Sequence, residues 1–582
     1  MNQSDPFPDR EGSPFNHMLH RYWMWGAVLA TGSMLVAGCG SPPGRKTAPP
    51  KGSSAAAVKR ERADDAAVER RAEAHAHYAA AVVREMNNEQ QAATEEYYQA
   101  ALLDPSDEDL VLEVSHRLLQ SKQPERALGV LLRATARPSA SGQIYARLGV
   151  VYAQLGKPDQ AVAANRMAIR KSPSALAGYH NLFLGYLGSK QNQEAVNVLD
   201  EAARQPKPDA DFLVGLADLY LGLAAQVPAQ KDAARAKALA TLNRAAQLSP
   251  VTPLQRLKLA DGFNLLGESN KAAQLYLEVL KQPPELPLVQ ERVRANLTDI
   301  YLRGSDHKRA SEQLRAIVKD DPTNPQAHYF LGRLELEDKQ PAEAADHLGK
   351  TILLSPDFES AYYFLALAQI EMEKSSTALA TLDKARQKFA QSFDLEFYTG
   401  LAFSREKAYA EAFRHFTAAE VIAQATDPQL LREGFYFELG SSCERKGDYT
   451  QAEKYFQKCL VLAPDFAEAM NYLGYMWAEH GEKLDQAREL IQKAVKAEPK
   501  NAAFLDSLAW VLFKQKQPQE ALTYALKAAE LSEKPDATVY DHIGDIYAAL
   551  KQPEKAREAW RKSVSLEPNE QVSKKLDSGG PK

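Results

Sequence analysis

A period of 34 residues runs through most of the chain and constrains its fold more tightly than any other feature. One unit of it is Glu433–Phe466, EGFYFELGSSCERKGDYTQAEKYFQKCLVLAPDF. Tyr436, Leu439, Gly440 and Cys443 fall three or four residues apart, on one face of a helix. Gly447-Asp448 interrupts that face, a second one runs through Ala452, Phe456 and Cys459, and Pro464 closes the unit. Two helices this short cannot bury their own apolar faces and need neighbours of the same kind. The neighbours begin at Ala74, Glu108, Gly142, Leu176, Ala210, Pro253, Glu291, Pro325, Glu359, Phe393, Ala467, Ala502 and Ala537, most of them 34 residues from the next. Small residues hold the register (Ala127, Ala344, Ala378, Ala521), as do closing prolines such as Pro173, Pro356 and Pro499.

The order Y-x2-L-G-x2-C…A-x3-F…P resembles the tetratricopeptide repeat, whose pattern is W-x2-L-G-x2-Y…A-x3-F…P. The resemblance extends from Ala74 to Asn569. It implies an all-α, right-handed superhelical α-solenoid of about fourteen helix-turn-helix repeats, each touching mainly its neighbours. It also implies a concave face, formed mainly by first helices, that takes peptides of other proteins.

Departures from the period mark loops. About nine extra residues fall around Ala224–Ala234, and smaller excesses near Pro283–Pro287 and at Ala423–Leu431. Glu335 and Glu396 stand where apolar landmarks are usual. Residues 570–582 read as a polar tail with no long capping helix.

The array, 74–569, is preceded by two other segments. Residues 1–38 read as an N-terminal extension and signal: His17–Arg21 is basic, Tyr22–Ala37 is apolar, and small residues follow. Leu35-Val36-Ala37-Gly38-Cys39 resembles the bacterial lipobox, which implies lipidation of Cys39 and cleavage before it. An uncleaved anchor is the alternative, for which the run is short. Met1 and Met18 are both possible starts. Gly40, where an Asp would retain a lipoprotein at the inner membrane, points to the outer membrane, facing the periplasm. In 39–73 a Pro/Gly/Ser-rich tether, Ser41–Ser54, precedes an Ala-rich helix, Ala55–Arg71.

A net charge of -5 over 582 residues argues against a nucleic-acid partner. Three cysteines are too few for a disulfide framework, and no phosphate loop, zinc spacing or nucleophile elbow is present. No cofactor or metal is expected, and no catalytic residue. Cys443 and Cys459 read as buried small hydrophobes, with an intra-repeat disulfide as the alternative. Asp541, His542 and Asp545 share one helix, where a hydrated helix is the plainer reading than a metal or acid/base site.

The concave face implied by the resemblance is assigned here to the fifth position of each repeat. Four successive repeats place Tyr329, Tyr363, Phe397 and Phe437 there, and the next three place Asn471, Asp506 and Asp541. Such a ladder could hold an extended or helical peptide, or pack between adjacent first helices and meet no ligand. Arg333, Arg405 and Arg445 lie near the same faces, whereas the carboxylate clamp of one family subtype finds aromatics and aliphatics at its places. The expected function is a non-enzymatic envelope lipoprotein scaffolding other proteins in a secretion, pilus, outer-membrane or polysaccharide-export assembly. The alternative is a periplasmic protein that binds a glycan or peptide in the aromatic groove.

Overall fold

The computed structural model describes residues 55–248, 252–281 and 287–578. Cys39, the leader and the tether lie outside them. The described residues form two compact units, 55–306 and 307–578.

The first unit stacks helical hairpins in chain order. They are α1 (Ala55–Met86) with α2 (Gln90–Leu103), α3 (Glu108–Gln120) with α4 (Pro124–Thr135), and α5 (Gly142–Gln154) with α6 (Pro158–Lys171). Then come α7 (Ala177–Gly188) with α8 (Asn192–Ala203), α9 (Ala210–Gln226) with α10 (Lys231–Gln247), α11 (Pro253–Leu265) with α12 (Ser269–Lys281), and the single α13 (Pro287–Arg303). The second unit opens with α14 (His307–Asp320). Its hairpins are α15 (Pro325–Glu337) with α16 (Pro341–Leu354), α17 (Glu359–Glu371) with α18 (Ser375–Lys388), and α19 (Phe393–Arg405) with α20 (Tyr409–Thr426). They continue with α21 (Glu433–Lys446) and α22 (Tyr449–Leu462), α23 (Ala467–His480) and α24 (Leu484–Ala497), α25 (Ala502–Lys514) and α26 (Pro518–Leu531), and α27 (Ala537–Ala549) and α28 (Pro553–Leu566), before α29 (Glu570–Ser578). No strand occurs among the described residues. The expected all-α repeat solenoid is therefore present within each unit.

Local chemistry sets the hairpin. Asp107, Asp209, Asn324, Ser392, Asn501 and Asp536 cap first helices by accepting from backbone N–H groups, worth about 1 kcal/mol each. The turn between the helices follows a short code: a left-handed residue, one linker, then proline at the start of the second helix. Lys122-Gln123-Pro124, Lys339-Gln340-Pro341, Lys516-Gln517-Pro518 and Lys551-Gln552-Pro553 all obey it, the lysines at φ +56°, +57°, +61° and +58°. Glycine suits that backbone better, but lysine places a cation at the negative end of the helix it terminates.

Within a hairpin the helices nearly touch. A Cβ on Gly400 would lie 2.6 Å from the Phe416 ring, and one on Gly440 2.8 Å from the Phe456 ring, so the eighth position of these repeats has room only for hydrogen. Cys443 and Cys459 are free, fully buried thiols, and burial pushes each up to about 12. They pack as small hydrophobes.

Several boundaries differ from the sequence reading. The division at residues 73/74 falls inside α1, a single helix from Ala55 to Met86. The excess at Ala224–Ala234 lengthens α9 and α10, joined by the 3-10 turn Pro228–Gln230. The polar tail is not all coil, since α29 seats Val572 and Leu576 against Trp560. Lys575 donates from there to Asp541 (2.8 Å) and Asp545 (2.7 Å).

The two landmark glutamates are buried with histidine partners. His415 Nδ1 and Arg386 Nη1 both donate to Glu396, which they hold down at about 2 against the raising effect of its burial. Glu335 Oε2 lies 3.4 Å from His347 Nδ1. Burial nevertheless pushes Glu335 up to about 7 and His347 down to about 4, so near neutral pH the histidine is uncharged and the glutamate only partly ionised.

Candidate partner-binding face

In the unit 307–578 the first helices run against one another: α15 meets α17, α17 meets α19, α21 meets α23, α23 meets α25 and α25 meets α27, while successive second helices do not pack comparably. In a curved stack the helices that meet lie inside the bend. The inner face is therefore the row of first helices, and only the outward-looking stripe of each helix can meet a partner.

The fifth-position residues do not form that stripe. They reach into the next repeat. Tyr329 is buried with its ring 4.6 Å from Phe358 and 5.9 Å from Phe364. Tyr363 stacks on Tyr398 at 6.0 Å and donates from its hydroxyl to Glu359. Phe397 lies 6.1 Å from Phe435 and 5.8 Å from Phe416. Phe437, half-buried, lies 5.4 Å from Phe466 and 5.3 Å from Tyr472. The polar members behave alike: Asp506 accepts from His542 Nδ1 of the following helix at 2.9 Å, and Asp541 is held by Lys575. Asn471 is buried, and its Oδ1 has no hydrogen-bond partner. The four ring faces that a peptide or a sugar would use are covered by other rings, as the packing alternative describes.

The stripe that looks out of the row of first helices lies one residue further on. Positions 2, 6, 9 and 13 fall together because steps of four, three and four residues return to one side of a helix. Position 6 carries Phe330, Phe364, Tyr398, Glu438 and Tyr472 in five successive repeats, position 9 carries Leu401, Ser441, Tyr475 and Trp510 in the later ones, and position 13 carries Arg405, Arg445, Glu479 and Lys514. Arg405, Arg445 and Glu479 are exposed, while Leu401, Tyr472, Tyr475, Lys514 and Glu438 are half-buried. Arg333 lies over the Phe364 ring at 5.0 Å. Near the C-terminal end Trp510 donates from Nε1 to Glu479 and stacks on His542 at 3.9 Å, with the Lys514 ammonium 4.7 Å from the indole centroid. Aromatic area is interleaved here with both signs of charge.

Asp541, His542 and Asp545 are divided between two neighbours. His542 faces Asp506, and the two carboxylates face Lys575, with Asp545 also accepting from Trp560 Nε1 at 3.1 Å. Burial raises Asp545 even so. Among the described residues no group of three or more His, Cys, Asp or Glu side chains could hold a metal ion.

Comparison with known proteins agrees with the hairpin geometry. The family description "Tetratricopeptide repeat" matches residues 115–175, 297–353, 434–466, 482–538 and 537–570, so the chain carries tetratricopeptide repeats. A TPR repeat-containing protein of Pseudomonas aeruginosa is 29% identical over 206 residues, covering 35% of this chain and 33% of that protein. The human protein O-mannosyl-transferase TMTC3 is 25% identical over 289 residues, covering 47% of this chain and 30% of its own. The chain thus spans a third or less of the length of these curated relatives. Among solved structures, a chain of the APC/C hetero-tetramer Cut9-Hcn1 aligns with a TM-score of 0.40 at 17% identity, over 80% of this chain and 95% of that one. A MamA protein aligns with a TM-score of 0.26 at 22% identity, over 31% and 94%.

Proposed function

We propose that this protein is a non-enzymatic scaffold that binds segments of other proteins along the inner face of residues 307–578, tethered to a bacterial cell envelope by lipid on Cys39. The observation that carries the reading is the stripe at positions 6, 9 and 13, where rings and charged groups recur at the spacing of the repeats, with Leu401, Tyr472 and Tyr475 half-buried, Arg405, Arg445 and Glu479 exposed, and Tyr398 and Trp510 buried. A rigid row of first helices can order an extended segment at low entropic cost to itself. The outer membrane, facing the periplasm, is the location consistent with Gly40, and an assembly of the secretion, pilus, outer-membrane or polysaccharide-export kind is the class of partner.

The test uses full-length protein in a Gram-negative host with crosslinking in the cell. Because Tyr329, Tyr363 and Phe397 are buried, substituting them would confound folding with binding. Tyr475→Ala with Arg405→Ala removes only half-exposed and exposed groups, and should leave the helical circular dichroism unchanged. The expected result is loss of a defined crosslinked envelope protein; retention of every crosslink would move the binding surface off the inner face. In the same host Cys39→Ser is expected to shift the protein from the membrane to the soluble fraction, and unchanged fractionation would refute the lipid tether.

A further inference from the structure

The hairpin α15–α16 encloses a glutamate and two histidines whose hydrogen-bonding groups are left unused. Glu335 of α15 is 5% exposed and His328, on the same helix, 2% exposed, while His347 of α16 is half-buried. The rings of His328 and His347 meet edge to face at 5.2 Å, and Glu335 Oε2 stands 3.4 Å from His347 Nδ1. His328 Nε2 donates to the Pro322 carbonyl at 3.1 Å, which leaves its Nδ1 bare. Three buried atoms of this one core, Glu335 Oε2, His347 Nδ1 and His328 Nδ1, have no hydrogen-bond partner among the described residues.

The charged groups around Glu335 are Arg315 of α14, Asp338 of its own helix, and Glu343 and Asp346 of α16. Around His347 they are Asp346 and Lys350 of its own helix, His328 and Arg315, and Asp321 stands by His328. None of these bonds to Glu335 or His347 among the described residues: Asp346 accepts from Lys350 at 2.7 Å, and Asp321 from Thr323 at 2.7 Å. A carboxylate or an imidazolium kept from water without a bonded countercharge costs far more than the neutral form of the same group. Burial accordingly raises Glu335 from 4.5 to about 7 and lowers His347 from 6.5 to about 4. The order in which the two groups take up protons is thereby reversed on folding.

We infer that folding moves one proton from His347 to Glu335, and that the neutral pair so made keeps the hairpin α15–α16 shut through the mildly acidic range, where either group alone would open it or lock it. At about pH 5.5 the unfolded chain carries a carboxylate and an imidazolium, and the folded chain a carboxylic acid and an imidazole. Each state holds one proton, so none is exchanged with solvent. A raised carboxyl favours the fold increasingly as pH falls from about 7 to about 4.5. A lowered histidine disfavours it increasingly as pH falls from about 6.5 to about 4. The two slopes overlap and cancel. The pair Glu396–His415 has no such property, because Arg386 bonds to that carboxylate and keeps it charged.

Native-state hydrogen exchange on the purified full chain, corrected for the intrinsic pH dependence of exchange, reads the opening of α15 and α16. Wild-type protection there should change by no more than about threefold between about pH 7 and about pH 5. Glu335→Gln leaves the lowered histidine by itself, and protection should fall about twentyfold over that interval. His347→Gln leaves the raised carboxyl by itself, and protection should rise about fortyfold. A wild-type change above about tenfold, or slopes of the same sign in the two variants, overturns the proposal. The position of the proton is read separately, in the infrared difference between wild type and Glu335→Gln at about pH 5.5. Wild type should show the carbonyl stretch of one protonated carboxyl, fading as pH rises through about 7. Absence of that band would make the two groups an ion pair and overturn the proposal whatever the exchange shows. If Glu335→Gln does not fold, Glu335→Leu, apolar and of similar volume, supplies the reference spectrum.

Discussion

Replacing Glu396 with alanine is expected to cost the second unit about 3 kcal/mol of local stability. Glu396 is 2% exposed and accepts from His415, from Arg386 and, at 3.2 Å, from Gln391. Burial raises it, but His415 and Arg386 outweigh that and hold its folded value at about 2, against an ordinary 4.5, so the fold favours the charged form. That stability is present above the unfolded value and is lost as pH falls from about 4.5 through about 2. Alanine also strands His415, which is stacked on Phe403 at 5.3 Å and has no other acidic partner within ion-pair distance among the described residues. Each repeat leans mainly on its neighbours, so the loss should appear first as local opening of α19 and α20. Native-state hydrogen exchange should show reduced protection there, with the N-terminal unit unaffected. A uniform loss over both units, or none, would contradict this account. Glu396→Gln keeps the shape and should fall between the two.

The hairpins were legible because their information is local and repeated. Small residues at one position, prolines at another and a turn residue between them recur often enough to fix the register. The turn code Lys-Gln-Pro was equally visible and went unread, since lysine does not advertise a left-handed backbone. The fifth-position side chains pack into the following repeat, and the side that looks out of the row lies one residue further on. On a helix that step is a rotation of about 100°, and it separates the side that meets the next first helix from the side that looks into the bend. Sequence periodicity locates an apolar face but not the tilt between neighbouring helices that decides which edge of it is covered. Glu335 and Glu396 read as weak places, yet each has a histidine at the twenty-third position of its own repeat, His347 and His415. A carboxylate in the core together with that histidine is a signal a sequence can give. The state of the two pairs is not in the sequence: Arg386 bonds directly to Glu396, whereas burial of Glu335 outweighs the more distant Arg315 and leaves that carboxyl only partly ionised near neutral pH.

At the C-terminal end the expected pH response has the opposite sign. His542 is buried, its Nδ1 bonded to both oxygens of Asp506, and its ring lies 3.9 Å from Trp510 at an interplanar angle of 15°. Burial disfavours the imidazolium, but Asp506, then Asp541 and Glu479, outweigh that and raise His542 above its ordinary value. Lys514 is the cation beside Trp510, its ammonium 4.7 Å from the ring centroid. A histidine raised on folding contributes stability that is complete below its unfolded value, near 6.5, and is lost as pH climbs through the folded value. Wild type should therefore hold α25 and α27 together more firmly at about pH 6 than at about pH 9, an effect read in urea melts followed by tryptophan fluorescence. Asp506→Asn removes the countercharge and leaves burial to depress the imidazole, which should cost about 3 kcal/mol at about pH 6 and remove or reverse the wild-type pH dependence. Asp506→Asn with His542→Gln should recover part of that loss, because neither charge is then stranded. If Asp506→Asn keeps the wild-type dependence, the charge on His542 is not what joins these repeats, and stacking on Trp510 alone holds them.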